Sequence, residues 1–157
     1  NNVLGSGIGG DKLTGSAAGG VLIGHGGGNT VTSGGGASVL IGGYGKNIVI
    51  GKGSNDLLIN GRTIYDYSVS PTLLNIISVW QSGLTYADKV ATLRAGTLVV
   101  GATVTTSPPR RTVGPTYGGG TFLYQTVLVG NGGQDWFITS TLSSVVGKAA
   151  NETVTLK

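Results

Sequence analysis

The chain has 157 residues, of which 31 are glycine and only 10% are charged, with a formal net charge of +4 and neither cysteine nor methionine. Without cysteine there is no disulfide staple, so cohesion has to come from β pairing and packing. The basic residues are dispersed, Arg110-Arg111 is the one adjacent pair, and no aromatic residues interleave with it, which argues against a nucleic-acid platform. No stretch is long and apolar enough to span a membrane as a helix.

From the first residues a nine-residue period runs through the chain: Leu4, Leu13, Leu22, Val31, Leu40, Val49 and Leu58 are aliphatic at one spacing, with glycines crowding the intervals. A period that short is one turn plus one strand of about three residues. Gly24-His25-Gly26-Gly27-Gly28-Asn29-Thr30-Val31-Thr32 aligns without a gap on Gly42-Gly43-Tyr44-Gly45-Lys46-Asn47-Ile48-Val49-Ile50. Glycine suits such turns because the chain reverses through positive φ values that a Cβ resists. The repeating aliphatic is the side chain that points inward.

Residues 2–61 resemble the RTX-type nonapeptide repeat, G-G-x-G-x-D-x-U-x, whose fold is a parallel β-roll and whose turn aspartates hold calcium between stacked turns. The resemblance therefore implies a mainly β fold, a parallel β-roll or β-solenoid of nine-residue repeats, and makes the aspartate position the functional test. That position reads Asn2, Asp11, Gly20, Asn29, Ser38, Asn47 and Asp56. Alternate turns fall on opposite sides of a roll, so Asp11 groups with Asn29 and Asn47, and Asp56 with Gly20 and Ser38. On this reading no two carboxylates stack, and calcium prefers several charged oxygens. The expectation is a side-chain hydrogen-bond ladder with no cofactor. Asp11 and Asp56 remain the candidate calcium ligands.

Strand alternation turns the residues flanking the inward aliphatic to the opposite face. On one sheet these are Val21 and Ile23, Val39 and Ile41, Leu57 and Ile59; on the other they are Lys12 and Thr14, Thr30 and Thr32, then Ile48 and Ile50. The first sheet is apolar on both faces and has to be covered, by later residues of the chain or by another molecule.

The next segment offers that cover. Ser70-Pro71 reads as a helix start with proline at the first position, Leu73, Ile76, Ile77 and Trp80 form one helical stripe, and Gly83 ends it. A second helix is predicted from Thr85, with Asp88 completing a capping box, to Gly96. Extended structure is expected over Thr97 to Thr106 and Thr121 to Val129, with prolines confining the intervening segment to a loop. Gly130 to Ile138 reads as one more repeat. The organisation is thus a glycine-rich roll over 1–61, a helical insertion or cap over 62–96, and strands continuing or closing the roll over 97–157.

This layout resembles a C-terminal domain of large secreted bacterial proteins, through Leu57-Leu58-Ile59-Asn60-Gly61, Tyr65-Asp66, the helix ending near Trp80, Tyr86-Ala87-Asp88-Lys89-Val90, and Gly133-Gln134-Asp135-Trp136-Phe137. The resemblance implies no activity and no catalytic residue. The six acidic residues show no facing pair of the kind a glycosidase needs, and the lone His25 sits in a glycine turn. Gly5-Ser6-Gly7-Ile8-Gly9-Gly10 fits a dinucleotide fingerprint, but a repeat follows it rather than a helix. An enzyme is not expected. The opening Asn1 reads as a processed or excerpted chain.

The leading expectation is an extracellular or cell-surface structural protein, a homo-oligomer or filament joined by strand pairing and apolar sheet packing. Its assembly residues would be Val3, Leu4, Val21, Ile23, Val39, Ile41, Val154 and Leu156, since Val3-Leu4-Gly5 and Glu152 to Lys157 look like open edges. A second reading is an adhesin or anchoring module for envelope or polysaccharide, contacting through Tyr44, Tyr117, Trp136 and Arg110-Arg111, although aromatic packing between helix and roll is the favoured use of Trp136. A third is a calcium-dependent RTX-type export domain. Asn151-Glu152-Thr153 also fits a glycosylation acceptor.

Overall fold

The structure, a computed structural model, describes residues 3–43, 45–61, 63, 71–95, 126–139 and 145–156. The described chain is mostly β, with two short helices. In order, the glycine-rich part holds β1 (Val3–Gly5), β2 (Ile8–Gly9), β3 (Lys12–Thr14), β4 (Gly20–Ile23), β5 (Gly26–Gly27), β6 (Thr30–Thr32), β7 (Ser38–Ile41), β8 (Ile48–Ile50) and β9 (Leu57–Ile59). The helices follow as α1 (Pro71–Gln81) and α2 (Tyr86–Ala95), and then come β10 (Val127–Val129), β11 (Trp136–Thr139), β12 (Val145–Val146) and β13 (Thr153–Leu156).

Two parallel sheets carry the architecture. One has six strands in the order β1-β4-β7-β9-β11-β13, the other five in the order β12-β10-β8-β6-β3, and β2 pairs separately with β5. Apart from the short β2 and β5, successive strands fall alternately in the two large sheets, so partners in the glycine-rich part are two repeats apart: Val21 stands against Val39 and Val31 against Val49. After the helices the same registers resume, with Leu128 against Val49 and Phe137 against Leu58.

Between the sheets lies the row of repeating aliphatics. Leu13, Leu22, Val31, Leu40, Val49, Leu58, Leu128 and Phe137 form one buried cluster. β3, β4, β6, β7, β8, β9, β10 and β11 each contribute one central side chain, so the core exists only where repeats stack, and Leu4 on the edge strand β1 is left exposed. Gly45 shows how tightly they do: it turns at φ 98°, and a Cβ there would run into the carbonyl of Gly27 in the preceding stacked turn.

The outer face of the six-stranded sheet makes the second core. Val21, Ile23, Val39, Ile41, Leu57, Ile59, Trp136 and Ile138 pack with Leu73, Ile76, Ile77 and Trp80 of α1 and Val90 and Leu93 of α2. The predicted helical stripe is therefore the cover that the double-apolar sheet requires. Trp80 is wholly buried, its indole N–H donates to the carbonyl of Asn55 at 3.0 Å, and its ring meets Trp136 and Tyr86. At the start of α2 the capping pair is formed, Asp88 N–H donating to Thr85 Oγ1 at 3.2 Å and Thr85 Oγ1 to Asp88 Oδ2 at 2.6 Å. The outer face of the five-stranded sheet has exposed Lys12, Thr14 and Ile48.

The expected strand over 97–106, the proline loop, Ser70, Tyr44, Tyr65-Asp66, Arg110-Arg111 and Tyr117 lie outside the described residues, as does the first part of the expected strand 121–129.

Trp80→Ala should remove about 3–5 kcal/mol of stability, because a large buried ring is lost and the cavity beneath α1 cannot close fully. Ile48→Thr, on the exposed outer face, should change it by less than about 1 kcal/mol. Urea unfolding followed by circular dichroism measures both.

Candidate functional site

The turn position that carries aspartate in the resembled repeat builds a ladder on each side of the molecule. Before the five-stranded sheet, Asp11 N–H donates to Asn29 Oδ1 at 2.8 Å and Asn29 N–H to Asn47 Oδ1 at 2.9 Å. The Asn29 amide group also turns back to the carbonyls of Gly24 and Gly26. Each side chain therefore caps the amide of the repeat beneath it and satisfies its own donors locally.

Before the six-stranded sheet the same device is made of acids. Ser38 N–H donates to Asp56 Oδ1 at 2.8 Å, Asp56 N–H to Asp135 Oδ1 at 2.7 Å, and Asp135 N–H to Glu152 Oε1 at 3.1 Å. The expectation that no two carboxylates stack is corrected here. Residues 79 apart meet because β11 docks directly on β9 in register, bringing the turn of Asp135 onto the turn of Asp56.

The three acids are differently served. Asp56 Oδ2 accepts from the Ser33 hydroxyl at 2.8 Å and the Lys52 amide at 3.1 Å, and the Glu152 side chain accepts the Ala149 amide through Oε2. Asp135 Oδ2 is buried and has no hydrogen-bond partner. Both Asp56 and Asp135 are wholly buried, and every donor to the three carboxyls is a neutral amide or hydroxyl.

Two glycines make the room. A Cβ on Gly51 would lie 3.0 Å from Asp56 Oδ2 and 3.2 Å from Asp135 Oδ2, and one on Gly130 would lie 2.8 Å from both Asp135 Oδ2 and Phe137 Cζ. The two carboxyls thus converge on the same small space over Gly51.

Burial governs their protonation. It lifts the Asp56 carboxyl to about 6, against the opposing pull of its bonds from Ser33, Ser38 and Lys52. Burial lifts Asp135 further, to about 7; the one bond from the Asp56 amide opposes this, while the charges of Asp56 and Glu152 add to it.

Asp11 and Asp56, the two candidate calcium ligands, precede strands of different sheets. Asp11 is exposed and Asp56 enclosed. Among the described residues no three acidic or histidine side chains gather as around one metal ion; the acids stand in a column. His25 adopts φ 50°, the one positive value among described non-glycine residues.

The assembly candidates divide. Val21, Ile23, Val39 and Ile41 are at most 2% exposed, closed off in the core shared with the helices. Val3 and Val154 are half-buried, and Leu4 and Leu156 stand exposed on the two edge strands of the six-stranded sheet. Trp136, weighed as a surface contact, is wholly buried; its indole donates to Thr155 Oγ1 at 2.9 Å and Arg94 lies over its ring, 5.5 Å from the centroid. Sequence reasoning missed the Asp135–Glu152 rung. The signal was present in Gly130 to Ile138 as a repeat, which places Asp135 at the turn position of Asp56.

Set against known protein families, curated proteins and solved structures, the chain matches none. No helix among the described residues is long and apolar enough to cross a membrane.

Gly130→Ala should cost roughly 1–3 kcal/mol, since its Cβ would press on two wholly buried groups that have nowhere to move. Gly26→Ala, with open space around its Cβ position, is the control. The difference in urea midpoint checks the prediction.

Proposed function

We propose that the two parallel sheets are the facing walls of an RTX-like β-roll and that the chain is an extracellular structural subunit, adding to further copies end to end to form a fibre or surface layer. One observation carries the reading. The sheets end, among the described residues, on parallel edge strands that expose large apolar side chains: Leu4 at 47% on β1, Val146 at 52% on β12 and Leu156 at 54% on β13.

An edge of this kind presents unpaired backbone groups beside apolar surface, and soluble proteins ordinarily blunt it with charge, proline or a cover. The broad apolar face of the six-stranded sheet is already closed by α1 and α2, so the surface left for association is at the ends. A parallel sheet has unlike ends, so the contact that continues it is head to tail, and such contacts propagate when they do not close into a ring. The ladders lend the same direction, each side chain reaching back to the amide of the repeat before it.

Negative-stain microscopy and sedimentation of the purified chain test this. Wild type should form filaments or large oligomers, with and without a calcium chelator. Leu4→Lys and the pair Val146→Lys with Leu156→Lys, at residues whose exposure spares the fold, should each shift the population to monomers. Monodisperse wild type at every concentration would sink the proposal. Glycan binding by such monomers would then favour the adhesin reading, and a large calcium-dependent change in circular dichroism the export-domain reading.

A further inference from the structure

We propose that the Asp56–Asp135–Glu152 column is a proton-controlled latch, holding β11, β13 and the helix docked on them to the glycine-rich sheets when its buried pair is protonated and loosening that end first when the pair ionises. The inference concerns the interior of one chain and stands whether or not copies assemble.

The column is the seam between two pieces of chain far apart in sequence. β11 joins β9 through Trp136, Phe137 and Ile138, and at the head of that pairing the Asp56 amide is bonded to Asp135. α2 is tied to the same place. The Tyr86 hydroxyl donates to the Asp135 carbonyl at 2.8 Å and accepts from the Thr153 amide at 2.9 Å, while Arg94 bonds Thr155 and covers Trp136. Whatever disturbs Asp135 therefore disturbs β11, β13 and α2 together.

Ionisation is such a disturbance. The pair shares one enclosed space over Gly51, and Asp135 Oδ2 has no donor to receive a negative charge. A buried carboxylate without a compensating partner is costly, and two facing each other are costlier. Among the described residues the charged and titratable groups around them supply no relief: Glu152 is a third acid, Lys52 contributes only its backbone amide, Tyr86 donates to the Asp135 backbone carbonyl, and α1 has no charged residue. On α2, Asp88 is engaged with Thr85, Arg94 with Thr155 and the Trp136 ring, and the buried Lys89 gives no bond to any of the three acids. Lys148, in the turn before Glu152, donates to the Ala149 carbonyl. On the other side the rung side chains of Asn29 and Asn47 are neutral amides, and Asp11 enters that ladder only through its backbone N–H, its side chain being exposed.

The direction follows from linkage. A carboxyl raised in the folded state keeps its proton there after the unfolded chain has released it, so its contribution is full below about 4 and is lost as pH rises through about 6 and 7. Thermal melts of the full chain between pH 4.5 and 8 read this. The melting temperature of wild type should fall by roughly 5 °C or more relative to Asp135→Asn, which mimics the protonated acid and should be much flatter. Asp11→Asn, at an exposed acid outside the column, should keep the wild-type profile.

Hydrogen exchange on wild type locates the opening and does not depend on any variant folding. After correction for intrinsic rates, protection in β11 and β13 should drop about tenfold more than in β4 and β7 on passing from pH 5 to pH 8. Equal loss everywhere, or an Asp135→Asn profile parallel to wild type, would overturn the latch. So would recovery of the acid melting temperature at pH 8 on adding calcium alone, which would make the column a cation site.

Discussion

Everything in this molecule depends on stacking one repeat upon another. A strand of three residues buries a single central side chain and cannot hold itself; in this chain it is held because its partner two repeats away presents the same side chain in register. Leu22 lies on Leu40 and Leu40 on Leu58, and the backbone bonds between them exist only while those rows remain aligned. A slip of one residue would turn the inward row out and the outward row in, which is why short strands of otherwise weak individual pairing keep one register.

That constraint explains the asymmetry of the two sheets. Both share the inner aliphatic row, but only the six-stranded sheet has valine, isoleucine and leucine on its outer face as well, and there the two helices lie. Trp80 and Trp136 join the layers from either side, with ring centroids 6.0 Å apart. The five-stranded sheet has threonine and lysine on the corresponding face in its first two strands and remains open to solvent at Lys12 and Thr14. One inner core is thus shared by two walls of unlike character, and the chain's own helices use up the surface that would otherwise drive lateral association.

Much of this was legible from residue spacing. The nine-residue aliphatic row gave the strands and their inner face, the flanking residues distinguished a face needing cover from one that does not, and the Leu73-Ile76-Ile77-Trp80 stripe marked what covers it. Local signals of this kind act over a few residues and survive without tertiary knowledge. The acid column was not legible, because its rungs come from positions 56, 135 and 152, and nothing local says that a chain leaving β9 returns to pair with it. Glu152 was further hidden, since it does the work of an aspartate in a turn without the glycine pattern and stands 17 residues after Asp135 rather than a double repeat. The short pairing of β2 with β5 also escaped notice, three of its four residues being glycines with no side-chain pattern to read.

The two ladders solve one problem with different chemistry, and the difference has consequences. In each turn an amide must be capped where no strand partner reaches it, and a side-chain oxygen from the next repeat does so. Asparagine brings with its oxygen an amide group that finds carbonyls in its own turn, leaving a neutral and self-satisfied rung. Aspartate brings a second oxygen that needs a donor, and Asp56 finds two in the Ser33 hydroxyl and the Lys52 amide. Asp135 finds none, because the space facing its Oδ2 is bounded by Gly51 and Gly130, which offer no side-chain donor there. The least satisfied buried carboxyl oxygen therefore lies at the junction where the returning chain meets the glycine-rich sheets, and the cohesion of that junction is tied to a proton.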